Sequence, residues 1–509
     1  MNAYAAFARG FAERSDRPFL ETEDGRVLTY GGLGDATARA ASALAGLGLE
    51  PGDRVLAQVD KSPEALVLYL GALRAGLAYV PVNPAYTEAE LRHFLDDARP
   101  RLAVCRSPAA GSFERLAAAG GGTTRVLTLD GDGRGSLPDL SGHAPARFPT
   151  VPARPDDIAV VAYTSGTTGR PKGAMVTHGN LTSNAEALAG LWRFAAEDVL
   201  LHALPLFHVH GLFVALHPVL LAGARILLHR RFDAGAVLRA LPRATVLMGV
   251  PTFYTRLLAE PGLDRRACAG VRLFVSGSAP LAPDAFARFR ERTGHAILER
   301  YGMSETGIIA SSPYDGERRP GSVGFPLPGV SVRVVDGEGA PVGPGAPGEI
   351  QVRGPNVFRG YWGQPERRPE DFTADGWFRT GDVGSWDPDG ALAIVGRAKD
   401  VVITGGYNVY PREVEQVLEA IDGVAEAAVV GLPHPDLGEA VVAAVVAAPG
   451  ATLTESGVIA RVRGRLAGYK VPRQVRFVER LPRNAMGKVD KPALRERLSA
   501  RDSPAGRDG

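Results

Sequence analysis

The chain has 509 residues, of which 45% are hydrophobic and 22% are charged, and its formal net charge is +2. This length predicts more than one domain. The near balance of charge argues against a nucleic acid or a membrane as a partner. We expect no membrane span, because no apolar run reaches roughly 18 residues, and no secretion signal. The two cysteines, Cys105 and Cys268, lack metal-ligand spacing, so we expect a cytoplasmic protein.

Helical and strand-like patterns alternate through residues 54–155. They predict a strand at Arg54–Val59, a helix at Ser62–Leu73 with Ser62 as its N-cap, and a strand at Leu77–Val80 that Pro81 stops. Because strands that alternate with helices usually lie parallel, this region predicts a parallel sheet covered by helices.

A loop rich in glycine and hydroxyl residues follows the apolar segment Ile158–Tyr163. It reads Thr164-Ser-Gly-Thr-Thr-Gly-Arg-Pro-Lys172-Gly173. Glycines allow a close backbone approach, N–H and O–H groups can converge on anionic oxygens, and the lysine adds a point charge. The loop lacks the Gly-Lys-Ser/Thr ending of the common nucleotide-triphosphatase motif. It therefore predicts a phosphate site of another class.

Short strands punctuated by glycine and proline begin near residue 320, including Ser331–Val335 and Glu349–Arg353, and predict a β-rich subdomain. An amphipathic helix at Pro411–Ile421 belongs to a later α+β segment. We therefore expect an α/β fold, in which the N-terminal domain spans residues 1–396 and contains parallel-rich sheets flanked by helices. A hinge at 397–400 would join it to a small mobile α+β domain at 401–509.

Four motifs in this order resemble the adenylate-forming superfamily, which includes acyl-CoA synthetases, aryl-CoA ligases, luciferases and carrier-protein adenylation domains. They are the glycine-rich loop, Tyr301-Gly-Met-Ser-Glu305, Trp377-Phe-Arg-Thr-Gly-Asp382 and Pro482-Arg-Asn-Ala-Met-Gly-Lys488, and the resemblance runs from about residue 20 to 495. It implies that MgATP activates a carboxylic acid as an acyl-adenylate. Coenzyme A would then accept the acyl group after the C-terminal domain rotates. A monomer or a homodimer would carry out this reaction.

The resemblance assigns the nucleotide and its magnesium ion to residues of these motifs. The β- and γ-phosphates would contact Thr164, Ser165, Gly166, Thr167, Thr168, Gly169 and Lys172. Tyr301 would offer its ring to adenine, and Ser304 would contact the α-phosphate. Glu305 would hold Mg²⁺ together with Thr164, since a hard cation takes few carboxylates plus phosphate oxygens.

Further roles follow from the later motifs. Asp382 would accept hydrogen bonds from the ribose hydroxyls, and Arg397 would touch the ribose or a phosphate. Lys399 stands where the family has its hinge residue. Lys488 would neutralise charge at the substrate carboxylate and the α-phosphate. Gly406 would line the pantetheine tunnel in the second half-reaction.

Five residues are candidates for the acyl pocket: His208, Ser276, Ser278, Arg300 and Met303. His208 aligns with the family's gate residue and would also take part in catalysis. Arg300 stands where many relatives with apolar substrates have glycine. A buried arginine is costly unless it is paired, and a second carboxylate on the substrate would pair with it through two parallel hydrogen bonds.

This combination is similar to malonyl-CoA synthetases, and segments 246–258 and 408–411 strengthen the likeness. Residues 307–312 depart from that group, because they read Gly-Ile-Ile-Ala-Ser-Ser. The apolar residues predict a pocket that also accepts a substituted malonate, such as methylmalonate.

Other interpretations remain open at this point. Arg300 could pair with a protein acid such as Glu299, in an enzyme for short- or medium-chain fatty acids. The acceptor could be a carrier protein instead of coenzyme A. A nucleotide sensor without catalysis, or a luciferase-like activity, is compatible with the fold alone.

Overall fold

The computed structural model describes residues 1–164, 171–404, 407–434, 437–466, 468–484 and 487–500. Their helices are α1 Ala3–Phe7, α2 Tyr30–Gly46, α3 Pro63–Arg74, α4 Glu88–Ala98, α5 Ala110–Ala119, α6 Ser136–His143, α7 His178–Leu191, α8 Leu216–Ala222, α9 Ala234–Ala240, α10 Pro251–Ala259, α11 Pro283–Thr293, α12 Pro411–Glu419, α13 Glu455–Arg463 and α14 Lys491–Ala500.

The strands alternate with helices in the first 300 residues and follow one another directly after that. They are β1 Pro18–Thr22, β2 Val27–Thr29, β3 Arg54–Gln58, β4 Ala78–Pro81, β5 Leu102–Cys105, β6 Arg125–Thr128, β7 Ile158–Thr164, β8 Lys172–Thr177, β9 Val199–His202, β10 Arg225–Leu228, β11 Val246–Gly249, β12 Leu273–Ser276, β13 Leu298–Met303, β14 Gly307–Ser311, β15 Ser322–Pro326, β16 Ser331–Val335, β17 Gly348–Arg353, β18 Phe378–Trp386, β19 Leu392–Arg397, β20 Val402–Thr404, β21 Tyr407–Val409, β22 Val424–His434, β23 Gly438–Ala447 and β24 Gln474–Phe477.

Two large sheets form the N-terminal domain. One has the order β6-β5-β3-β4-β7-β8 and is parallel except at β8. The other runs β16-β17-β18-β19-β15-β14-β13-β12-β11-β9-β10-β1-β2. Its half from β13 to β1 is parallel, and the half from β14 to β16 is antiparallel. The predicted α/β fold class with a β-rich subdomain is therefore confirmed.

Local signals set several element boundaries. The Ser62 hydroxyl accepts a hydrogen bond from the Ala65 N–H, and Pro63 is the first residue of α3, so the predicted cap is confirmed. The prediction that Pro81 stops the next strand was wrong by one residue. Pro81 is the last residue of β4 and lies opposite Ala57 of β3, because a strand can end on a residue that donates no hydrogen bond.

The C-terminal domain is a small sheet with helices on both faces. Its strands have the order β21-β20-β23-β22, and β24 pairs with β23. Val429 packs on the side of α12 and α13, whereas Val430 packs on the side of α14, because neighbouring strand residues face opposite ways. Helix α12 ends at Glu419, two residues before the predicted end.

Between the domains, β19 ends at Arg397 and a single 3₁₀ turn covers Ala398–Asp400. Lys399 in this turn is exposed. Among the described helices, none combines the length and the apolar character that a membrane span requires.

Candidate active site

A cavity of about 310 Å³ is lined by residues from the two large sheets of the N-terminal domain and by Lys488 of the C-terminal domain. Thr164, His208 and Ser278 reach it from the ends of, or the loops after, parallel strands of the two large sheets, and Arg397 comes from the β-rich half. Lys488 comes from the C-terminal domain. Ligands of α/β proteins commonly bind beyond the carboxyl ends of parallel strands, so this cavity is the candidate active site.

One end of the cavity contains a buried carboxylate, that of Glu305. The hydroxyl of Tyr361 donates to its Oε1 at 2.9 Å, and burial raises the pKa of Glu305. The ammonium of Lys172 lies 5.0 Å from the centroid of the Tyr361 ring. A carboxylate and the nearby Thr164 hydroxyl are ligand types that Mg²⁺ takes together with phosphate oxygens, so the described residues fit that ion.

The predicted ribose residue, Asp382, already has two partners in the protein. The Tyr301 hydroxyl donates to Asp382 Oδ2 at 2.5 Å, and Arg397 Nε lies 2.7 Å from Oδ1. Asp382 and Arg397 are opposite each other on β18 and β19, which fixes the pair. Burial raises the pKa of Asp382, and the Arg397 charge opposes that shift. The motif did not predict the contact from Tyr301.

Lys488 lines the cavity and directly precedes Val489, which forms an isolated bridge with Arg483. Its backbone N–H donates to Asn484 Oδ1 at 3.1 Å. The residue as a whole remains exposed, but its ammonium faces the cavity. There burial and then the Arg397 charge lower its pKa.

The other end of the cavity contains Arg300, which is only 5% exposed. Its Nη2 lies 3.5 Å from the Ser278 hydroxyl, and its Nε has no hydrogen-bond partner among the described residues. Burial lowers the pKa of Arg300 to about 9, and none of the carboxylates in the described ranges acts on it. Among the described residues, the guanidinium is therefore a buried cation without an acidic partner.

The predicted alternative partner, Glu299, does not pair with Arg300. It accepts a hydrogen bond from the Gly321 N–H at 3.2 Å, and burial raises its pKa to about 7. Glu299 and Arg300 are neighbours on β13, so their side chains point to opposite faces of the sheet. This geometry overturns the interpretation of Arg300 as one half of that ion pair.

Two histidines complete this end of the cavity. The His210 N–H donates to His208 Nδ1 at 3.2 Å, and the Ser278 hydroxyl lies 3.3 Å from His210 Nδ1. Nε2 of His210 is buried without a partner among the described residues. Burial lowers the pKa of His208 to about 3 and that of His210 well below its usual range, so both rings are neutral near pH 7.

Sequence reasoning singled out His208 and missed His210, although both belong to one short segment. It also missed Lys61, which holds that segment in place. The Lys61 ammonium donates to His202 Nδ1 at 2.8 Å and to the carbonyls of His202 and Leu204 at 2.9 and 2.8 Å. His202 Nε2 in turn lies 2.9 Å from the Gly211 carbonyl. Both ends of the loop that carries the two histidines are thus anchored.

The other candidates divide into three groups. Ser304 and Met303 line the cavity. Ser276 does not belong to the lining, because it lies inside the sheet opposite Gly249 and Glu299 with 1% exposure. Its prediction as a substrate contact is corrected accordingly. Ser165, Gly166, Thr167, Thr168, Gly169 and Gly406 lie outside the described residues.

Comparisons with known proteins agree with this geometry. The AMP-binding enzyme family model matches residues 7–362, and the AMP-binding enzyme C-terminal domain model matches 413–488. The crystal structure of ATP-bound MatB from Rhodopseudomonas palustris superimposes with a TM-score of 0.94 and 49% identity, covering 98% of this chain and 99% of that one.

Two curated relatives differ in their substrates. A feruloyl-CoA synthase from Amycolatopsis sp is 39% identical over 478 residues, which cover 93% of this chain and 94% of the relative. A mitochondrial malonate–CoA ligase from Mus musculus is 38% identical over 464 residues, covering 83% and 78%. The chain therefore belongs to the AMP-binding enzyme family and is an AMP-forming acid–CoA ligase of the adenylate-forming superfamily, which uses ATP, Mg²⁺ and coenzyme A.

Proposed function

We propose that the acid is malonate, and that the enzyme converts it to malonyl-CoA through an acyl-adenylate. The observation that supports this proposal is the buried guanidinium of Arg300, which pairs with no carboxylate in the described part of the chain. A buried charge without a partner costs several kcal/mol, so a site that keeps one is built for a ligand of opposite charge. The likeness to the malonate–CoA ligase of Mus musculus supports the same substrate.

The distal carboxylate of malonate would bind Arg300 and accept hydrogen bonds from Ser278 and His210. Ser278 and the unpartnered Nε2 of His210 lie at the same end of the cavity. A neutral imidazole can donate from one nitrogen, whichever tautomer the carboxylate selects. His208, also neutral, would separate this end from the reacting end.

The reacting carboxylate would lie toward Lys488 and the α-phosphate. An oxygen of that carboxylate attacks the α-phosphorus, and the bond to the leaving pyrophosphate breaks. Lys488 offsets the negative charge of both groups while they approach each other. Mg²⁺, held by Glu305 with Thr164, would neutralise phosphate charge when bound. The thiol of coenzyme A then displaces AMP from the acyl carbonyl.

The nucleotide would occupy the end near Lys172 and Asp382. Asp382 can accept hydrogen bonds from the ribose, and Tyr301 and Arg397 hold its carboxylate in place for that contact. We further propose domain bounds of 1–396 and 401–509, with a hinge at 397–400. Lys399 suits a hinge because an exposed side chain tolerates two backbone states.

Methylmalonate is a second candidate substrate. Val214 and Ile308 line the same cavity as Arg300, so an apolar wall faces the diacid. A methyl group on the central carbon would bury roughly one CH₂ equivalent, worth about 0.8 kcal/mol.

The test is pyrophosphate release with malonate, methylmalonate, acetate, butyrate, octanoate and coumarate, for the enzyme and for Arg300→Met. We expect malonate to be preferred. We expect the variant to lose about 10- to 150-fold in kcat/KM for malonate, which corresponds to 1.5–3 kcal/mol, and much less for butyrate. Arg290→Met, on the exposed face of α11, is the matched control. Preference for coumarate or octanoate, or equal losses with all acids, would overturn the proposal.

A further inference from the structure

The backbone at Gly277 comes unusually close to the guanidinium of Arg300. A Cβ built on Gly277 would lie 2.4 Å from Cζ, 2.5 Å from Nε and 2.7 Å from Nη1 of Arg300. These are its three nearest neighbours, and all are closer than real Cβ atoms approach other heavy atoms. The space that Gly277 leaves empty is therefore the space in which the guanidinium lies.

Glycine is not required at this position for its backbone conformation. The φ of Gly277 lies outside the left-handed region, so an L-residue can adopt the same backbone. The next residue, Ser278, is the contrasting case, since it has a φ of 70°. An alanine at 277 would consequently act through the contact with Arg300 and not through backbone strain.

The surroundings of the Arg300 guanidinium favour movement away from position 277 toward the cavity. On the protein side, β13 is fixed between β12 and β14, with Arg300 opposite Ser311. Tyr254 is fully buried, and its hydroxyl is tied to the Val275 carbonyl at 2.6 Å. The open side is the cavity, which Arg300 lines together with Ser278 and His210.

We propose that Gly277 is a positioning residue that sets substrate specificity. Because it has no side chain, the Arg300 guanidinium can lie against the cavity wall. Any side chain at 277 pushes the guanidinium into the volume that the distal carboxylate would occupy and away from Ser278. The effect on malonate rests on the proposed function, but the steric relation between Gly277 and Arg300 does not. A larger residue at 277 would thus favour acids that lack the second carboxylate.

The first test compares Gly277→Ala with Gly270→Ala. Gly270 precedes β12, the strand that Gly277 follows, and it is exposed. The atom nearest to a Cβ built on Gly270 lies 3.4 Å away, which is an ordinary contact distance. We expect Gly277→Ala to raise the KM for malonate about tenfold or more, a change of about 1.4 kcal/mol. The KM for ATP and kcat/KM for butyrate should stay within about twofold, as should all values for Gly270→Ala.

The second test repeats Gly277→Ala in an Arg300→Ala background, which removes the three atoms that lie nearest to the new Cβ. The melting temperature of all four proteins is measured without substrate. We expect Gly277→Ala to lower it in the native background and to leave it unchanged beside Arg300→Ala. Equal lowering in both backgrounds would show that Gly277 acts elsewhere and would overturn the inference.

The two failures can be told apart. If malonate proves not to be a substrate but the melting temperatures are non-additive, the proposed function fails and the positioning of Arg300 stands. If malonate is the substrate and its KM is unchanged in Gly277→Ala, this inference fails alone.

Discussion

The charged side chains at the two ends of the active-site cavity differ in whether they have partners in the protein. At the end where the nucleotide would bind, two buried carboxylates have protein partners: Asp382 contacts Arg397 and Tyr301, and Glu305 accepts a hydrogen bond from Tyr361. At the end where the acid would bind, Arg300 is buried without an acidic partner in the described part of the chain, and the neutral His208 and His210 line the same cavity.

The difference shows how each end would recognise its ligand. A nucleotide brings many groups, so residues that hold one another in place can each contribute one contact with little rearrangement. A short acid brings few groups, so one unsatisfied cation can decide which acid binds. Specificity should therefore respond to changes near Arg300, and the rate of adenylation to changes near the phosphates.

The largest effect is expected for Lys488→Ala, because Lys488 lines the cavity from the C-terminal domain and, in the proposed reaction, would stabilise the transition state. Pyrophosphate release should slow by about 10²- to 10³-fold. Thioester formation from a synthesised acyl-adenylate and coenzyme A should remain within a few-fold. The exposed Arg480→Ala serves as the control in the same basic segment. An equal loss in both half-reactions would contradict a role limited to adenylation.

Glu299→Gln tests whether the acid beside Arg300 in sequence serves stability alone. Its pKa is near 4.5 when unfolded and about 7 in the folded protein. Between these values the folded state binds a proton that the unfolded chain has lost, so the free energy of unfolding falls as pH rises from 4.5 to 7. The loss is at most about 3 kcal/mol.

The glutamine variant should lack this decline, which denaturant unfolding at pH 5 and pH 8 would measure. Its ratio of kcat/KM for malonate to that for butyrate should match the parent enzyme. A changed ratio would mean that Glu299 does influence Arg300, and the contrast between the two cavity ends would weaken.

Lys61→Met tests the anchoring of the histidine loop. Without the ammonium, His202 Nδ1 and the carbonyls of His202 and Leu204 lose their donor. We expect kcat/KM for malonate to fall about tenfold, in line with 1–3 kcal/mol for a buried group left unpaired. The KM for ATP should change little. If the KM for ATP rose as much as that for malonate, the anchor would serve the whole domain instead of the acyl end.

The smallest effect is expected for Ser278→Gly, and it has two opposite parts. Glycine adopts the φ of 70° without strain, so the free energy of unfolding should rise by about 1 kcal/mol. The lost hydroxyl should raise the KM for malonate about fivefold, equivalent to one hydrogen bond of about 1 kcal/mol. Denaturant unfolding and steady-state kinetics measure the two parts. Unchanged stability would argue against strain at this residue.

Motifs within one short segment could be predicted from the sequence, because their residues act together through local geometry. The cap of α3 and the positions of β16 and β17 are examples, and the order of the motifs around Tyr301, Asp382 and Lys488 identified the family. Contacts between distant segments could not be predicted. Lys61 and His202 are 141 positions apart, and Tyr361 and Glu305 are 56 apart.

The two serines after Val275 show why the acyl end was only partly predictable. Alternation along a strand would place Ser276 and Ser278 on one face. The strand ends at Ser276, however, and the left-handed backbone of Ser278 redirects its side chain into the cavity. Likewise, the sequence marked Arg300 as unusual. It did not show that the side chain of Glu299 lies on the opposite face of β13 and cannot pair with Arg300.

The ion pair between Asp382 and Arg397 has a consequence for turnover. Arg397 is the last residue of a strand anchored in the large domain, whereas Lys488 belongs to the small one. If the chain pivots at Lys399, Lys488 departs with the moving part and Arg397 stays behind. The Lys488 charge would then leave the active site between the two chemical steps, whereas the Arg397 charge would stay beside the adenylate. The activated acid would thus be retained while the thiol of coenzyme A arrives.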